Sequence, residues 1–109
     1  MKSDPQIIEK IIFYADKIIR NCNNVDKDSF LSNEILHESC VFNLIQIGEL
    51  VYKLSDESLI KNPELPWHEI RGLRNRIVHA YGDINLNAIW DTIEIDLPNL
   101  IIKLKVINI

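Results

Sequence analysis

The stretch R-G-L-R-N-R-I-V-H-A-Y-G-D, from Arg71 to Asp83, carries the strongest signal in this chain of 109 residues. At about 100° of rotation per residue, Arg71, Asn75 and His79 fall on one line of a helix, with Arg74 at its edge. On the other side lies an apolar row of Ile70, Leu73, Ile77 and Tyr81. The stretch therefore predicts a helix with a core-facing row and, opposite it, a polar stripe (Arg71, Arg74, Asn75 and His79).

The polar stripe has two interpretations. Cations near the C-terminal end of a helix interact favourably with the helix dipole, so the stripe could be a solvated helix face. The order Arg74-Asn75-x-x-x-His79-x-Tyr81 is more specific than a run of charge. It favours a functional site.

With the flanking residues P-W-H-E-I-R-G-L-R-N-R-I-V-H-A-Y, this order resembles the signature of the HEPN superfamily, and above all of its HepT-like branch (domain of unknown function 86). The resemblance covers essentially the whole chain. It implies a metal-independent endoribonuclease, the toxin of a toxin–antitoxin pair, that works as a homodimer with a composite site at the interface. Arg74 and His79 match the family's catalytic pair, and Asn75 matches its polar residue after the arginine. Residue 80 is Ala where relatives often have an acidic residue, a departure that bears on substrate preference.

Tyr81 matches the tyrosine that a partner nucleotidyltransferase adenylylates in HepT–MntA pairs. The resemblance therefore implies a cognate MntA-like minimal nucleotidyltransferase antitoxin as a partner, and Tyr81 as its modification site. Tyr81 also belongs to the core-facing row, so packing is an equally good interpretation of this residue.

Composition indicates a single folded domain, residues 1–109. Hydrophobic residues make up 47%, with only 3 Gly and 4 Pro. The net charge of −4 argues against coating nucleic acid by bulk charge, although a local cationic site remains compatible with it. Two cysteines without a paired framework, no apolar leader and no long apolar run predict a cytoplasmic protein that does not cross a membrane.

Apolar residues at helical spacing predict an all-α, antiparallel bundle of four main helices. The predicted helices run from Ser3 or Asp4, with Pro5 first in the helix, to residues 21–24, from Asn33 to about Leu54, from Pro66 to Gly82, and from Asn85 to a fraying C-terminal end, with a bend at Pro98. Residues 26–32 form either a short turn of helix or a loop, and residues 55–66 a polar connector.

The second helix is apolar nearly all round, which predicts burial on several sides and part of it at a subunit interface. Gly48-Glu49 interrupts the apolar pattern of this helix. Glycine in a helix interior costs about 1 kcal/mol relative to alanine, so its presence predicts that something approaches the backbone closely. Close packing and a functional approach to the backbone explain Gly48 equally well. The resemblance, which includes Gly-Glu at this place, favours a role for Glu49 near the arginine-rich helix.

A base, an acid and a phosphate clamp are sufficient for cleavage of RNA, and this chemistry needs no metal or cofactor. Histidine exchanges protons near neutrality, so His79 suits a general base or acid. Arg74 offers a planar fork of donors to a phosphate whose charge grows in the transition state. RNA supplies its own nucleophile, the 2′-hydroxyl. Since one chain has a single good acid–base group, a two-fold dimer would bring two histidines into one cleft and supply both roles.

Other interpretations remain open. A non-catalytic module could hold RNA or a nucleotide on the polar stripe while a nucleotidyltransferase does the chemistry, and a purely structural helical adaptor would need no stripe at all. His37 and Cys40, at i and i+3, are only two potential metal ligands, so we predict no metal site. Burial explains Cys40 better than nucleophilic chemistry does. Trp67 is expected to pack, with base stacking as its alternative. A place for His68 beside the cleft is a weaker candidate.

Overall fold

The computed structural model describes residues 3–72 and 85–107, and all regular structure in those ranges is helical. The elements are α1 (Asp4–Asn21), α2 (Lys27–Ser32), α3 (Glu34–Tyr52), α4 (Asp56–Lys61), α5 (described over residues 67–72), α6 (Leu86–Asp91), a π-helical turn (Thr92–Asp96) and α7 (Leu97–Lys105). The predicted all-α bundle is confirmed, with α1, α3, α5 and the α6–α7 segment as its main members.

The first helix begins where its N-terminal residues can cap it. Ser3 is the N-cap, and it forms a capping box in which its hydroxyl accepts from the Gln6 N–H while the Gln6 side chain accepts from the Ser3 N–H. Pro5 is the second helical residue, one position later than expected. One face of α1 is buried, through Ile7, Ile8, Ile11, Ala15 and Ile18, and α1 packs along α3.

The central helix α3 also follows its capping signal. The Asn33 side chain accepts from the Leu36 N–H at 3.0 Å, and the helix continues to Tyr52, slightly short of the predicted end at Leu54. The helix is continuous through Gly48, which is buried inside it, as close packing at this position requires. Its missing side chain lets neighbouring helices approach without breaking the helix.

Two short helices complete the described elements. Asp26 caps α2, which confirms the short turn of helix as one of the two alternatives for residues 26–32, and Phe30 of this helix is buried. The polar connector predicted over residues 55–66 is corrected, because it contains α4, which Ser55 caps. In both segments a side-chain cap stabilises one or two turns of helix that have no long apolar period.

A cluster of polar contacts joins the starts of α1 and α4. The Asp4 carboxylate accepts from the Ser55 N–H at 3.2 Å and from the hydroxyls of Ser55 and Ser58. These hydrogen bonds, those from Ser55 and Ser58 side chains first, hold the pKa of Asp4 below its ordinary value of 3.8.

The C-terminal segment starts at Asn85, which caps α6 as predicted. Pro98 lies near the start of α7, directly after the π-helical turn, whose wider hydrogen bonding is shown by the Leu97 N–H donating to the Thr92 carbonyl. Buried residues continue through this change of helix, as predicted from their spacing (Ile89, Trp90, Ile93, Leu97, Leu100, Ile101, Leu104). Proline lacks an N–H, so a departure from α-helical bonding next to it is expected.

The described core is formed mainly by α1, α3 and the α6–α7 segment, with the Phe30 ring packed at a tilt against that of Trp90, 5.0 Å between ring centroids. Within residues 3–72 and 85–107, no helix combines the length and the apolar character that crossing a bilayer requires.

Candidate functional site

The described part of the polar stripe is Arg71, near the start of α5, and its guanidinium lies over an aromatic ring of α3. The Arg71 Cζ is 5.0 Å from the centroid of the Tyr52 ring. This distance is within the range of a cation–π interaction, which contributes about 0.5–2 kcal/mol depending on burial. Tyr52 is the last residue of α3 and 46% of it is exposed. The contact therefore fixes the start of the arginine-rich helix against the end of the central helix.

Among the described residues, a ring and not a carboxylate holds the Arg71 guanidinium. Arg71 is half-buried, and its Nε is buried without a hydrogen-bond partner. Across the described ranges, no salt bridge or hydrogen bond involves this guanidinium, and the one salt bridge found there joins Lys61 to Glu57. An aromatic ring positions a cation without neutralising its charge, whereas a carboxylate would neutralise it. Within the described ranges, Tyr52 therefore positions the Arg71 cation and leaves its charge in place.

Glu49 lies one helical turn before Tyr52 on α3 and is half-buried. The sequence places it at i+7 from Phe42 and i+14 from Ile35, so these three residues share the face of α3 that points away from the core. Ile35 is 83% and Phe42 57% exposed. The contact between Tyr52 and Arg71 is made one helical turn beyond Glu49, and the role of Glu49 near the arginine-rich helix stays a prediction.

Arg74, Asn75, His79 and Tyr81 lie outside the described residues, as does the predicted end of the third helix at Gly82. Their roles as catalytic pair, auxiliary residue and modification site stay predictions. The apolar row opposite the stripe begins as predicted, because Ile70 is buried.

The two residues that precede the stripe differ in role. Trp67 is buried and its indole Nε1 donates to the Asn62 carbonyl at 2.9 Å, which confirms that it packs. His68, one residue later, is exposed, so it is accessible beside the stripe. Tyr52 is the residue that the sequence analysis missed. The only sequence signal for Tyr52 was an aromatic residue at the end of α3 that lies outside the buried apolar row of this helix.

Cys40 is a buried side chain on the core-facing side of α3. Its Sγ is 3.5 Å from the Sγ of Cys22, and both cysteines are free thiols. The contact with Cys22 and burial both raise the pKa of the Cys40 thiol, which disfavours the thiolate that nucleophilic chemistry requires.

His37 contacts the ring of Phe30. No group of three or more His, Cys, Asp or Glu side chains arranged to hold a metal occurs in the part of the chain that the structure describes.

A cavity of about 320 Å³ lies between α3, α5 and α7. Leu44, Ile70 and Leu100 are among the apolar residues that line it, and Asp96 and Lys103 are among the polar ones. Among the described residues, the candidate site residues Glu49 and Arg71 and the contacting Tyr52 do not line it. The described residues of the candidate site therefore lie at the junction of α3 and α5 and do not belong to the described lining of this cavity.

The helical bundle and the arginine-bearing helix can now be compared with known proteins. A family model described as Ribonuclease HepT-like matches residues 11–107. The chain belongs to this HepT-like family of ribonucleases, which confirms the resemblance found in the sequence.

Individual relatives agree with this assignment. A protein of Caldanaerobacter subterraneus subsp. tengcongensis is 31% identical over 92% of this chain and 89% of its own length. A Methanocaldococcus jannaschii protein is 33% identical over 75% of this chain and 68% of its own. The names of both propose an RNase. A Thermococcus cleftensis protein, whose name proposes the ribonuclease HepT, is 27% identical over 91% of this chain and 90% of its own. No solved structure matches the chain significantly.

Proposed function

We propose that this protein is a metal-independent endoribonuclease, the RNA-cleaving toxin of a toxin–antitoxin pair, in which Arg74 and His79 are the catalytic residues. The observation that carries the proposal is the R-N-x-x-x-H-x-Y string, which lies within the matched residues 11–107. The match over nearly the whole chain also supports residues 1–109 as one domain.

The chemistry follows from the residue types. His79 withdraws the proton from the 2′-hydroxyl of RNA, and the freed oxygen attacks the adjacent phosphorus. A second histidine, from the partner subunit of a homodimer, protonates the leaving 5′-oxygen. Arg74 donates hydrogen bonds to the phosphate as negative charge builds on it, and Asn75, Arg71 and Glu49 position the substrate. The expected products are a 2′,3′-cyclic phosphate and a 5′-hydroxyl.

The exposed face of α3 supports a homodimer. If two copies of this face met, the exposed apolar surface of Ile35 and Phe42 would be removed from water. Burial of apolar surface contributes about 25 cal/mol per Å². Glu49 lies on the same face, so the interface would border the end of α3 that contacts Arg71. Two copies of the polar stripe would then share one cleft, which is what a composite site requires.

A cytoplasmic location and a cognate MntA-like nucleotidyltransferase antitoxin complete the proposal. Adenylylation of Tyr81 by that partner would block the site, because a bulky anionic group next to His79 competes with RNA for the same cations.

The proposal is tested by incubating the wild type, Arg74→Ala and His79→Ala with total RNA and with tRNA in excess EDTA. We expect cleavage by the wild type alone, with at least a 100-fold loss in each variant, as is typical when a general base or a charge-stabilising donor is removed. Circular dichroism checks that the variants are folded. A folded, dimeric wild type that binds RNA without cleaving it would favour the non-catalytic binding module instead.

A further inference from the structure

We propose that Tyr52 and Arg71 form a nucleotide subsite, in which the Tyr52 ring stacks on an unpaired base and Arg71 binds the phosphate of that nucleotide. The inference rests on the proposed ribonuclease function and adds to it the substrate class, single-stranded RNA, together with a residue that selects for it. The juxtaposition that carries it is the Arg71 guanidinium over the Tyr52 ring, 5.0 Å from its centroid.

The first argument is electrostatic. Arg71 is half-buried, and its Nε is buried without a hydrogen-bond partner, so a phosphate would be bound through the terminal nitrogens of the guanidinium. Within residues 3–72 and 85–107, no carboxylate is in salt-bridge range of it. Among the described residues, the Tyr52 ring holds the cation without neutralising it, which suits the binding of a phosphate.

The second argument concerns the exposed ring. Tyr52 is 46% exposed although it contacts Arg71, so aromatic surface remains accessible next to a cation. Proteins that bind single-stranded nucleic acid combine these two elements, and stacking of one base on an aromatic side chain contributes about 1–3 kcal/mol. Bases within a duplex are already stacked, so such a platform selects unpaired RNA.

The third argument is position. Arg71 precedes Arg74 by three residues, and the sequence predicts that both lie on one helix, where three residues correspond to nearly one turn of about 5.4 Å. A nucleotide on the Tyr52–Arg71 pair is then the neighbour of the phosphate that Arg74 is proposed to bind. Tyr52 acts on binding and not on the reacting atoms, so it is a positioning residue.

The test compares Tyr52→Leu with Tyr52→Phe on a single-stranded RNA oligonucleotide that contains one cleavage site. We expect Tyr52→Leu to raise KM by about 5- to 100-fold, which corresponds to the loss of one stacked base, while kcat stays within about twofold. Tyr52→Phe keeps the ring and recovers the affinity. Phe13→Leu is the matched control, because Phe13 is also an exposed aromatic residue beside a cation, the Lys10 Nζ at 5.8 Å, but it lies on α1.

A second substrate separates stacking from loss of structure. The same oligonucleotide with an abasic nucleotide next to the scissile phosphate should bind the wild type as weakly as the intact one binds Tyr52→Leu, and the two changes together should cost little more than either alone. Equal KM values for Tyr52→Leu and wild type would overturn the subsite. So would a rise in KM, caused by the abasic nucleotide, that is as large in Tyr52→Leu as in the wild type.

Fluorescence anisotropy of the labelled oligonucleotide keeps the subsite and the ribonuclease activity distinguishable. If the wild type binds the RNA and does not cleave it, the proposed activity fails, and weaker binding by Tyr52→Leu still supports the subsite. Binding that ignores Tyr52, or a duplex bound as tightly as the single strand, overturns the subsite even in an active enzyme.

Discussion

The two faces of α3 both carry large apolar side chains, and the environments of these side chains are opposite. The inward face carries Cys40, Leu44, Ile47 and Val51, each at most 2% exposed and packed within the described core. The outward face carries Ile35 and Phe42, at 83% and 57% exposure. The sequence of the helix therefore shows how many apolar residues it carries. Only the folded structure shows which of them are buried within a single chain.

The difference has a functional consequence. A single chain satisfies the inward face, so that face contributes to folding. The outward face leads along α3 to Glu49 and Tyr52, where the ring meets Arg71. An apolar surface that ends at a candidate site is suited to an interface that completes the site, which is how we interpret it.

The sharpest way to break this comparison is to remove the same kind of side chain from each face. Leu44→Ala should lower the free energy of unfolding by about 2–5 kcal/mol, because it leaves a cavity in the core. Phe42→Ala, measured on the monomer at low concentration, should change it by less than about 1 kcal/mol, since the side chain is largely in water. Urea unfolding followed by circular dichroism gives both values. Similar losses for the two variants would contradict the assignment of the faces.

The proposed interface is tested by placing a charge on the outward face. Phe42→Asp should weaken the homodimer at least tenfold, about 1.4 kcal/mol, because it would bury an unpaired carboxylate between the copies. Sedimentation equilibrium measures the dissociation constant, and loss of RNA cleavage should follow the loss of dimer.

Ile60→Asp is the control for this substitution. Ile60 is 76% exposed on α4, away from the outward face of α3, so its charge should leave the dimer intact. A dimer that survives Phe42→Asp, or is equally weakened by Ile60→Asp, would place the interface elsewhere.

The smallest predicted effect concerns the polar cluster that joins α1 to α4 beside the inward core. The lowered pKa of Asp4 means that its hydrogen bonds to Ser55 and Ser58 stabilise the fold above pH 3.8, and that this stabilisation is lost as the pH falls through the lowered value. Asp4→Asn should therefore be less stable than wild type at pH 7, and the difference should shrink as the pH falls below 3.8 and through the lowered pKa of Asp4. Urea midpoints at several pH values measure it. A difference that is independent of pH would show that the Asp4 charge contributes nothing.

Much of the fold follows from short-range signals in the sequence. Ser3, Asn33 and Asn85 each cap the helix that they were predicted to cap. The two short helices α2 and α4 were predicted less well, because one or two turns give no apolar period and depend on the caps Asp26 and Ser55. Pro98 predicted a departure from regular α-helix, but nothing local specifies that the departure is a π-helical turn.

The sequence predicts the residues of the candidate site and says less about what surrounds them. The spacing of Arg71, Arg74, Asn75 and His79 is a local pattern that helical geometry converts into a stripe. The contact between Arg71 and Tyr52 joins two helices that are distant in sequence, so no periodicity reveals it. For the same reason, the exposure of Phe42 and the burial of Cys40 on one apolar helix required the packed structure.

The measurement that tests the central claim most directly is cleavage, in excess EDTA, of an RNA oligonucleotide beside the same oligonucleotide with a single 2′-deoxynucleotide at the cut site. The account predicts that the wild type cleaves the all-RNA strand to a 2′,3′-cyclic phosphate and a 5′-hydroxyl, and leaves the substituted strand intact at that site. Cleavage of the deoxy-substituted strand, or cleavage of RNA that EDTA abolishes, would contradict metal-independent attack by the 2′-hydroxyl.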